Sequence, residues 1–534
     1  VTGVQTCALP ISTMSPLQKS PSQYLRMHSN DPVEWSLWSR DLLELAQQSG
    51  RPIFLSSGYF SCHWCHVMQQ ESFKNSEIAQ VINRTFLAVK IDRELSPLLD
   101  KELMDFTERT TGTAGWPLQV VITPDGTPLL GFIYLPPERF LSFLLNFESK
   151  WRSDSSALTK LAHSVVADLM NSSLPKKLHS ENATEILTDA DMLDGGFGEE
   201  RKYPEHSRMQ RSLDILQSVP SLTNREELKG ELREFLELTL DSMAERGLHD
   251  TLDGGFFRYT IDPNWETPHF EKMLYDNAQL ATLYLRAGAY FKSEKYSRVG
   301  VETLEFILRS MRNEDTLFIS SISALNSEGE EGGYYLWDME ELNSLLGRDD
   351  AASTLPQNLW QQFKLLWMPN SVLTEGGLHL FMPLKATTVT DRVTQLNIFN
   401  KLRQARSKRS APVDEKVLAG WNGLALTAYA ELIVQSKNLV ERGVISQEQA
   451  VLYRESGEIF ANTLVDRFWN GVELYRLYQE GYKVEAAEED YSQLSRGLEQ
   501  WGLATGKSHF IDTAKSIRRV GANLQQDSML RYKI

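Results

Sequence analysis

Arg51–Phe73, RPIFLSSGYFSCHWCHVMQQESF, is the stretch that decides the fold. Pro52 to Leu55 is an apolar run of strand length. Small residues and Gly58 interrupt it, and Cys62-His63-Trp64-Cys65 follows, after which the apolar spacing turns helical. Two thiols at i and i+3, where a strand gives way to a helix, suit disulfide exchange. A helix start offers unpaired N–H groups and the positive end of the macrodipole, both of which favour a thiolate at Cys62. A thiol of ordinary pKa near ~8.5 becomes a nucleophile near neutrality in such a place. Cys65, one turn on, closes the disulfide.

Three other readings stay open. Cys62-x-x-Cys65-His66 also fits covalent haem attachment, which needs an exported protein, and no export signal precedes it. The pair fits half a zinc site, although no second CxxC exists and His63 and His66 leave a helix on different faces. Two inert buried cysteines are the third reading.

The whole chain sets outer bounds. Its 534 residues exceed one ordinary core, so at least two domains are expected. Hydrophobic content of 41% and charged content of 24% are those of a globular protein. A net charge of −16 argues against nucleic acid or an acidic membrane surface as partner. No apolar run approaches the roughly 20 residues that span a bilayer. Three cysteines exclude a disulfide-stapled scaffold and point to a reducing, cytoplasmic setting. Val1 to Ile11, VTGVQTCALPI, reads as the translation of an adapter oligonucleotide, so residues 1–13 are set aside as an artefactual leader, Cys7 among them.

Asp31 to Gln48 reads as an amphipathic helix with Asp31 as N-cap and Pro32 at its first position. The strand at Ile53–Leu55, the cysteine helix and a short helix from Asn75-Ser76 follow. Phe86–Ile91 is the next strand, then a helix over Leu98–Thr107, strands at Leu118–Ile122 and Pro128–Phe132, and helical segments from Pro136 to Met170. This is the thioredoxin order, and it makes Pro117, set just before the third strand, a candidate cis-proline. The thioredoxin-like domain thus covers 14–171, and a polar linker covers 172–183. From 184 to 534 long helices recur: His206–Gln217, Asn224–Arg246, Lys272–Phe291, Ser293–Arg312, Asp391–Lys408, Glu415–Val434, Gln447–Phe468, Glu488–Leu503 and Ser508–Asn523. Gly195-Gly196-Phe197, Gly254-Gly255-Phe256 and Gly332-Gly333-Tyr334 punctuate them. Helix pairs with aromatic, glycine-rich loops suggest an α/α toroid; a plain helical array without an active site fits the same periodicity.

The motifs NDPVEW (30–35), GYFSCHWCHVMQQESF (58–73), VKIDRE (89–94), GWPLQVVITPDGTPL (115–129), FRYTIDPNWETPHFEKMLYDNAQL (257–280), SEGEEGGYYLW (327–337), DEKVLAGWNGLAL (414–426) and EDYSQL (489–494) carry a resemblance. In this order they resemble the spermatogenesis-associated protein 20-like family. Its members join a thioredoxin-like domain to a six-hairpin, glycosidase-like toroid similar to that of N-acylglucosamine 2-epimerases. The resemblance implies thioredoxin-site roles for Cys62, Cys65 and Pro117, and toroid motif positions at Trp265, His269, Glu271 and Asp276. Several positions depart from it. Ala324-Leu325-Asn326 stands where Asp-Ala-Asp is usual, Asp253 replaces a glycine, Thr251 and Phe257 replace histidines, and Glu200-Arg201 replaces Ala-Pro before Lys202. The family runs on past Ile534, so an incomplete ring with an apolar seam is expected.

Glycosidic acid/base work needs two carboxyls at controlled separation, and the missing Asp pair counts against it. His269 is a candidate acid/base or a histidine bonding a neighbouring loop. Glu271 is a candidate acid/base or, as the favoured reading, a first-turn helix carboxylate. Trp265, Trp337 and Trp421 either floor a sugar site or belong to the core. Arg258 and Lys272 grip an anion or pair locally, and the Glu328–Glu331 turn either binds a cation or, by default, is a solvated turn. The leading reading is thiol–disulfide exchange or redox sensing: Cys62 attacks, Cys65 resolves, His63 and Trp64 tune the pair and Pro117 shapes the groove. A non-catalytic binding protein comes next, and a sugar epimerase or hydrolase third. The expected partner is a protein thiol or disulfide, or a small sugar-like ligand, with no cofactor and no metal.

Overall fold

A computed structural model describes residues 15–172, 182–218, 226–347, 359–383, 385, 389–479 and 482–528. The expected leader, most of the expected linker and the chain's last six residues lie outside them. The chain forms two compact units, one running through Leu174 and the other from Pro175 to Arg531.

The first unit contains α1 (Gln23–Met27), α2 (Arg40–Ser49), β1 (Ile53–Gly58), α3 (His63–Met68), α4 (Ser76–Thr85), β2 (Leu87–Asp92), α5 (Pro97–Thr111), β3 (Leu118–Ile122), β4 (Pro128–Phe132) and α6 (Pro137–Asn171). A π-helical turn, Gln69–Phe73, extends α3. The sheet order is β2-β1-β3-β4. β1 is parallel to β2, from Ile53↔Leu87 to Gly58↔Asp92, and antiparallel to β3, from Ile53↔Ile122 to Ser57↔Leu118. Side chains alternate between the two faces of β1. Ile53 and Leu55 join Leu42 and Ala46 of α2 and Leu103 of α5 on one face. On the other, the Phe54 ring meets Phe86, Trp35 and Phe140. Both faces are covered, so the strand reads as an unbroken apolar run. This is the thioredoxin-like fold.

One expected helix is shorter than its pattern. Residues 31–39 are not helical; α2 starts at Arg40, with the Ser39 hydroxyl accepting from the Leu42 amide at 3.2 Å. The Ser36 amide instead donates to Ala88 O at 2.8 Å, and its carbonyl accepts from the Lys90 amide at 3.0 Å, satisfying the edge of β2. Asp31 is no helix cap. Its carboxylate accepts from His28 Nδ1 at 2.6 Å, Trp35 Nε1 at 3.0 Å and Gln69 Nε2 at 2.9 Å.

Lys90 lies inside β2 and is 1% exposed. Its ammonium donates to Ser56 Oγ at 2.9 Å. It sits 4.4 Å from the ring centre of Phe73, 5.0 Å from Trp35 and 5.2 Å from Tyr24. Burial pulls its pKa down to about 7, with Asp31 opposing.

The second unit opens with α7 (Ala183–Thr188), α8 (His206–Gln217) and α9 (Glu226–Glu245). β5 (Tyr259–Thr260) pairs with β6 (Pro268–His269). Then come β7 (Lys272–Met273), α10 (Leu274–Tyr290), α11 (Glu294–Ser310) and β8 (Ser321–Ile322). α12 (Met339–Leu346), α13 (Leu359–Leu366), the hairpin β9 (Ser371–Thr374) and β10 (Gly377–Leu380), and α14 (Val389–Arg406) form an inserted layer with its own core around Trp337, Phe363 and Trp367. β11 (Val413–Asp414), α15 (Ala419–Glu441), α16 (Gln447–Phe468), the hairpin β12 (Tyr475–Gln479) and β13 (Tyr482–Glu485), α17 (Glu488–Thr505) and α18 (Ser508–Ser528) complete it. α8, α10, α15 and α17 pack in succession as one layer, and each pairs with the helix after it: α9, α11, α16 and α18. This is the α/α-toroid arrangement. α10 and α15 start later than their patterns suggest. Lys272–Met273 and Val413–Asp414 are drawn instead into a small sheet with β8 between them.

Two loops share one design. Asp191-Met-Leu-Asp-Gly-Gly-Phe197 and Asp250-Thr-Leu-Asp-Gly-Gly-Phe256 repeat D-x-L-D-G-G-F. In each, the first aspartate's carboxylate caps the amides two and three residues on, Leu193 and Asp194 in one, Leu252 and Asp253 in the other. Each also takes a lysine: Lys202 on Asp191 at 2.6 Å and Lys272 on Asp250 at 2.7 Å. The glycines turn with φ of 79° and 73° in the first loop and 76° at both positions in the second, a region that disfavours any Cβ. At Gly255 a Cβ would also collide with the Phe306 ring.

Two outcomes follow from these contacts. Gly255→Ala combines left-handed strain with overpacking and lowers stability by about 2–4 kcal/mol, read from thermal or urea denaturation. For Lys90, the folded state releases its proton near pH 7 and the unfolded chain near ~10.4. Between those values the unfolded state binds more protons, so stability rises with pH. Relative to Lys90→Met, the parent gains on the order of 3 kcal/mol from pH 7 to 10, measured by urea titration at each pH; a constant difference contradicts it.

Candidate functional site

β1 delivers the chain at Gly58 into a turn that ends at Cys62. Cys62 is the N-cap of α3, its sulfur accepting from the Cys65 amide at 3.2 Å. The two cysteines form a disulfide with Cα atoms 5.3 Å apart, inside the usual range. Cys62 is 4% exposed and Cys65 is buried, while Trp64 between them is 41% exposed. The Trp64 ring lies 5.0 Å from Tyr134 and 5.5 Å from His63. Tyr134 in turn donates to Glu71 at 2.5 Å.

The Trp116–Pro117 peptide is cis. Pro117 is buried and directly precedes Leu118, which pairs with Ser57, so it stands at the end of the sheet from which the cysteine turn departs. The residues around it went unread in the sequence. Arg93 stacks its guanidinium 4.2 Å from the ring centres of both Tyr59 and Trp116. Asp100 accepts from Ser57 Oγ at 2.5 Å and Trp116 Nε1 at 3.0 Å. Burial raises its carboxyl above the ordinary range against those hydrogen bonds. The motifs VKIDRE and GWP held this signal, but only the β1–β2 and β1–β3 registers bring them together.

The metal reading of the cysteine pair finds no support in its surroundings. His66 Nε2 donates to Phe60 O at 2.7 Å, and burial lowers its pKa. Among the described residues no group of three or more His, Cys, Asp or Glu could hold a metal ion, and no helix is long and apolar enough to cross a membrane.

In the second unit, the predicted toroid residues divide. Arg258, His269, Glu271, Asp276 and Trp421 fall around the hairpin β5–β6 and the starts of α10 and α15. Arg258 Nη1 donates to Glu271 Oε1 at 3.2 Å. Glu271 is not in a helical first turn, because α10 begins only at Leu274. His269 Nδ1 meets Glu331 Oε1 at 2.5 Å, so one carboxylate of the expected solvated turn has a buried partner. His269 also stacks on Tyr259 at 4.7 Å, and Tyr259 on Tyr203 at 4.6 Å. Asp276 Oδ1 lies 3.4 Å from His206 Nε2, while its Oδ2 is buried with no hydrogen-bond partner. Trp421 packs on Tyr275 at 4.7 Å. His206, Tyr203, Tyr259, Tyr275 and Glu331 complete this cluster and were missed, being scattered over three separate segments.

Trp265 and Trp337 belong to the cores. Trp265 is fully buried, donates to Asp194 O at 3.1 Å and packs against Gly196. Lys272 is locked to Asp250 rather than offered to an anion. Asp250 also accepts from Arg406 at 2.6 Å. Burial alone would raise its carboxyl, but Arg406 and Lys272 outweigh that and hold it far below the ordinary range. Asn326, at the position of a missing carboxylate, caps its own turn by accepting from the Glu328 and Glu330 amides.

Residues 14–170 match a family model described as Thioredox_DsbH, protein of unknown function, DUF255. Among solved structures, a DsbH oxidoreductase aligns with 21% of this chain and 83% of its own at 22% identity and a TM-score of 0.18. A sugar epimerase from a ruminal bacterium aligns with 64% of this chain and 83% of its own at 13% identity and a TM-score of 0.30. At these scores neither carries an argument about activity. Human spermatogenesis-associated protein 20 is 32% identical over 96% of this chain and 70% of its own length. The rat protein of that name is 30% identical over 97% of this chain and 71% of its own. The chain belongs to the spermatogenesis-associated protein 20 family.

Proposed function

We propose that the first unit performs thiol–disulfide exchange. The observation that carries this reading is the Cys62–Cys65 disulfide at the end of a central thioredoxin-like strand, at the same sheet end as a cis-proline. In the reducing direction the Cys62 thiolate attacks a substrate disulfide, forms a mixed disulfide and expels one substrate thiolate. Cys65 then attacks Cys62 Sγ, closes the internal disulfide and releases the second thiolate. Two electrons pass from the dithiol to the substrate. The Cys65 amide, already donating to Cys62 Sγ, favours the thiolate there. Trp64, exposed beside the pair, offers an apolar surface to a polypeptide, with His63 packed against it, and Pro117 shapes the groove edge. The partner is a protein disulfide or dithiol.

A second reading concerns the toroid. Tyr203 is partly exposed and stacked on Tyr259, beside the His206–Asp276 pair. Flat rings next to a carboxylate with a vacant acceptor oxygen suit a polyhydroxylated ligand such as a sugar.

Each reading has its measurement. In an insulin-reduction assay with dithiothreitol, the parent accelerates turbidity, Cys62→Ser falls to the uncatalysed background, and Cys65→Ser accumulates a mixed disulfide visible by mass spectrometry. A parent whose two thiols never cycle on dithiothreitol treatment removes the exchange reading. For the toroid, mono- and disaccharides raise the melting temperature by a few degrees, and Asp276→Ala abolishes the shift; a screen in which no sugar moves the parent removes that reading.

A further inference from the structure

Gly58, the last residue of β1, leaves a gap that other groups border. A Cβ there would collide with the Tyr24 hydroxyl oxygen and lie 2.8 Å from Cys65 Sγ. The Tyr24 hydroxyl oxygen and the Cys65 sulfur therefore border the same space, the one a side chain at residue 58 would fill. Tyr24 is fully buried, and its hydroxyl has no hydrogen-bond partner while the disulfide is closed. Buried hydroxyls nearly always find partners, so an orphan bordering a reactive sulfur marks a group satisfied in another state of the site. Behind it, the Lys90 ammonium sits 5.2 Å from the Tyr24 ring centre.

We propose that Tyr24, backed by the charge of Lys90, is the hydrogen-bond donor that stabilises the Cys65 thiolate during disulfide exchange. The proposal rests on the exchange reading above. When an external thiolate bonds to Cys62 Sγ, the Cys62–Cys65 bond breaks and its electron pair goes to Cys65 Sγ, where the Tyr24 O–H meets it. In the opposite direction the same donor holds Cys65 as thiolate until it attacks Cys62 Sγ of the mixed disulfide and expels the substrate thiolate. The hydroxyl keeps its proton in both directions. Burial, with Asp92, Asp31 and Asp100, raises the Tyr24 phenol well above its ordinary range, so it remains a donor. Lys90 supplies a cation over the ring, and burial brings its titration to about 7. Besides Asp92 and Asp100, the ionisable groups acting on the pair include His28, which burial holds neutral with a pKa of about 3, and the Asp31 carboxylate, which stays charged. Tyr24 is thus the proposed catalytic residue and Lys90 a positioning residue that acts through its field.

The test is a single turnover of the full chain carrying Cys7→Ser, reduced, desalted and mixed with 5,5′-dithiobis(2-nitrobenzoate) in a stopped-flow instrument. Cys62 releases the first equivalent of nitrothiobenzoate, and Cys65 the second as it closes the disulfide. Tyr24→Phe slows the second phase about tenfold at pH 7, which is one pKa unit in the thiol, while the first phase changes less than twofold. Its pH midpoint moves upward by about one unit, a shift that a loosened fold would not give. Lys90→Met moves the midpoint in the same direction and decides the matter should Tyr24→Phe fail to fold. An unshifted midpoint with a second phase within twofold of the parent overturns the proposal. A parent that releases no first equivalent overturns the exchange reading instead, so the two failures are distinguishable.

Discussion

Strand β1 is hydrogen-bonded along both edges and packed on both faces, and the chemistry of the first unit hangs on that double register. Pairing Gly58 with Asp92 on one side and Ser57 with Leu118 on the other fixes three distant segments against one strand end. The cysteine turn leaves from that end, Pro117 arrives at it, and Arg93 stacks between Tyr59 and Trp116. A one-residue slip would turn every side chain of β1 to the opposite face. Phe54 would then leave its aromatic neighbours and Lys90 would lose Ser56. The register is therefore held by the apolar core and by a buried polar contact together.

The polar groups under the site are held at a cost that the fold offsets through rings and hydrogen bonds. Lys90 has one hydroxyl acceptor and three aromatic faces in place of a carboxylate at bonding distance. Cation–π contacts of this kind strengthen when water is excluded, but they do not replace full hydration. The consequence is a lysine that titrates near neutrality beneath a disulfide. In the second unit the balance is struck the other way. Asp250 is ringed by Lys272 and Arg406, and Asp253, 3.3 Å from Arg406, supplies the second carboxylate that makes the group charge-compensated.

Much of the fold was legible because it was local. The strand at Ile53–Leu55 declared itself by its apolar run, and β3, β4, α8 and α16 match their expected limits residue for residue. The CxxC spacing made a disulfide the leading reading among several, and the place of Pro117 in the thioredoxin order made it a candidate for the cis bond found there. What the sequence hid was non-local. Asp31-Pro32 carries the marks of a helix start, yet the edge of β2 claims Ser36 and α2 starts eight residues later than expected, a competition invisible to periodicity. Lys272 looks helical until β8, about 50 residues away, pairs with it. In the toroid, Arg258, His269, Glu271 and Asp276 were singled out, but His206 and Glu331 come from other segments and join only through packing. Trp265 shows the opposite error: its place in a dense motif suggested a binding surface, and it fills a core.

The twin D-x-L-D-G-G-F loops are wired alike but differ in their surroundings. Asp191 keeps a fifth of its side chain in contact with solvent, whereas Asp250 keeps almost none and carries a second cation. An ion pair open to water is weakened by screening, and one closed off from it is not. The same scaffold thus appears once with its ion pair open to water and once with it shut away beside a second cation, so salt weakens the first pair and leaves the second untouched.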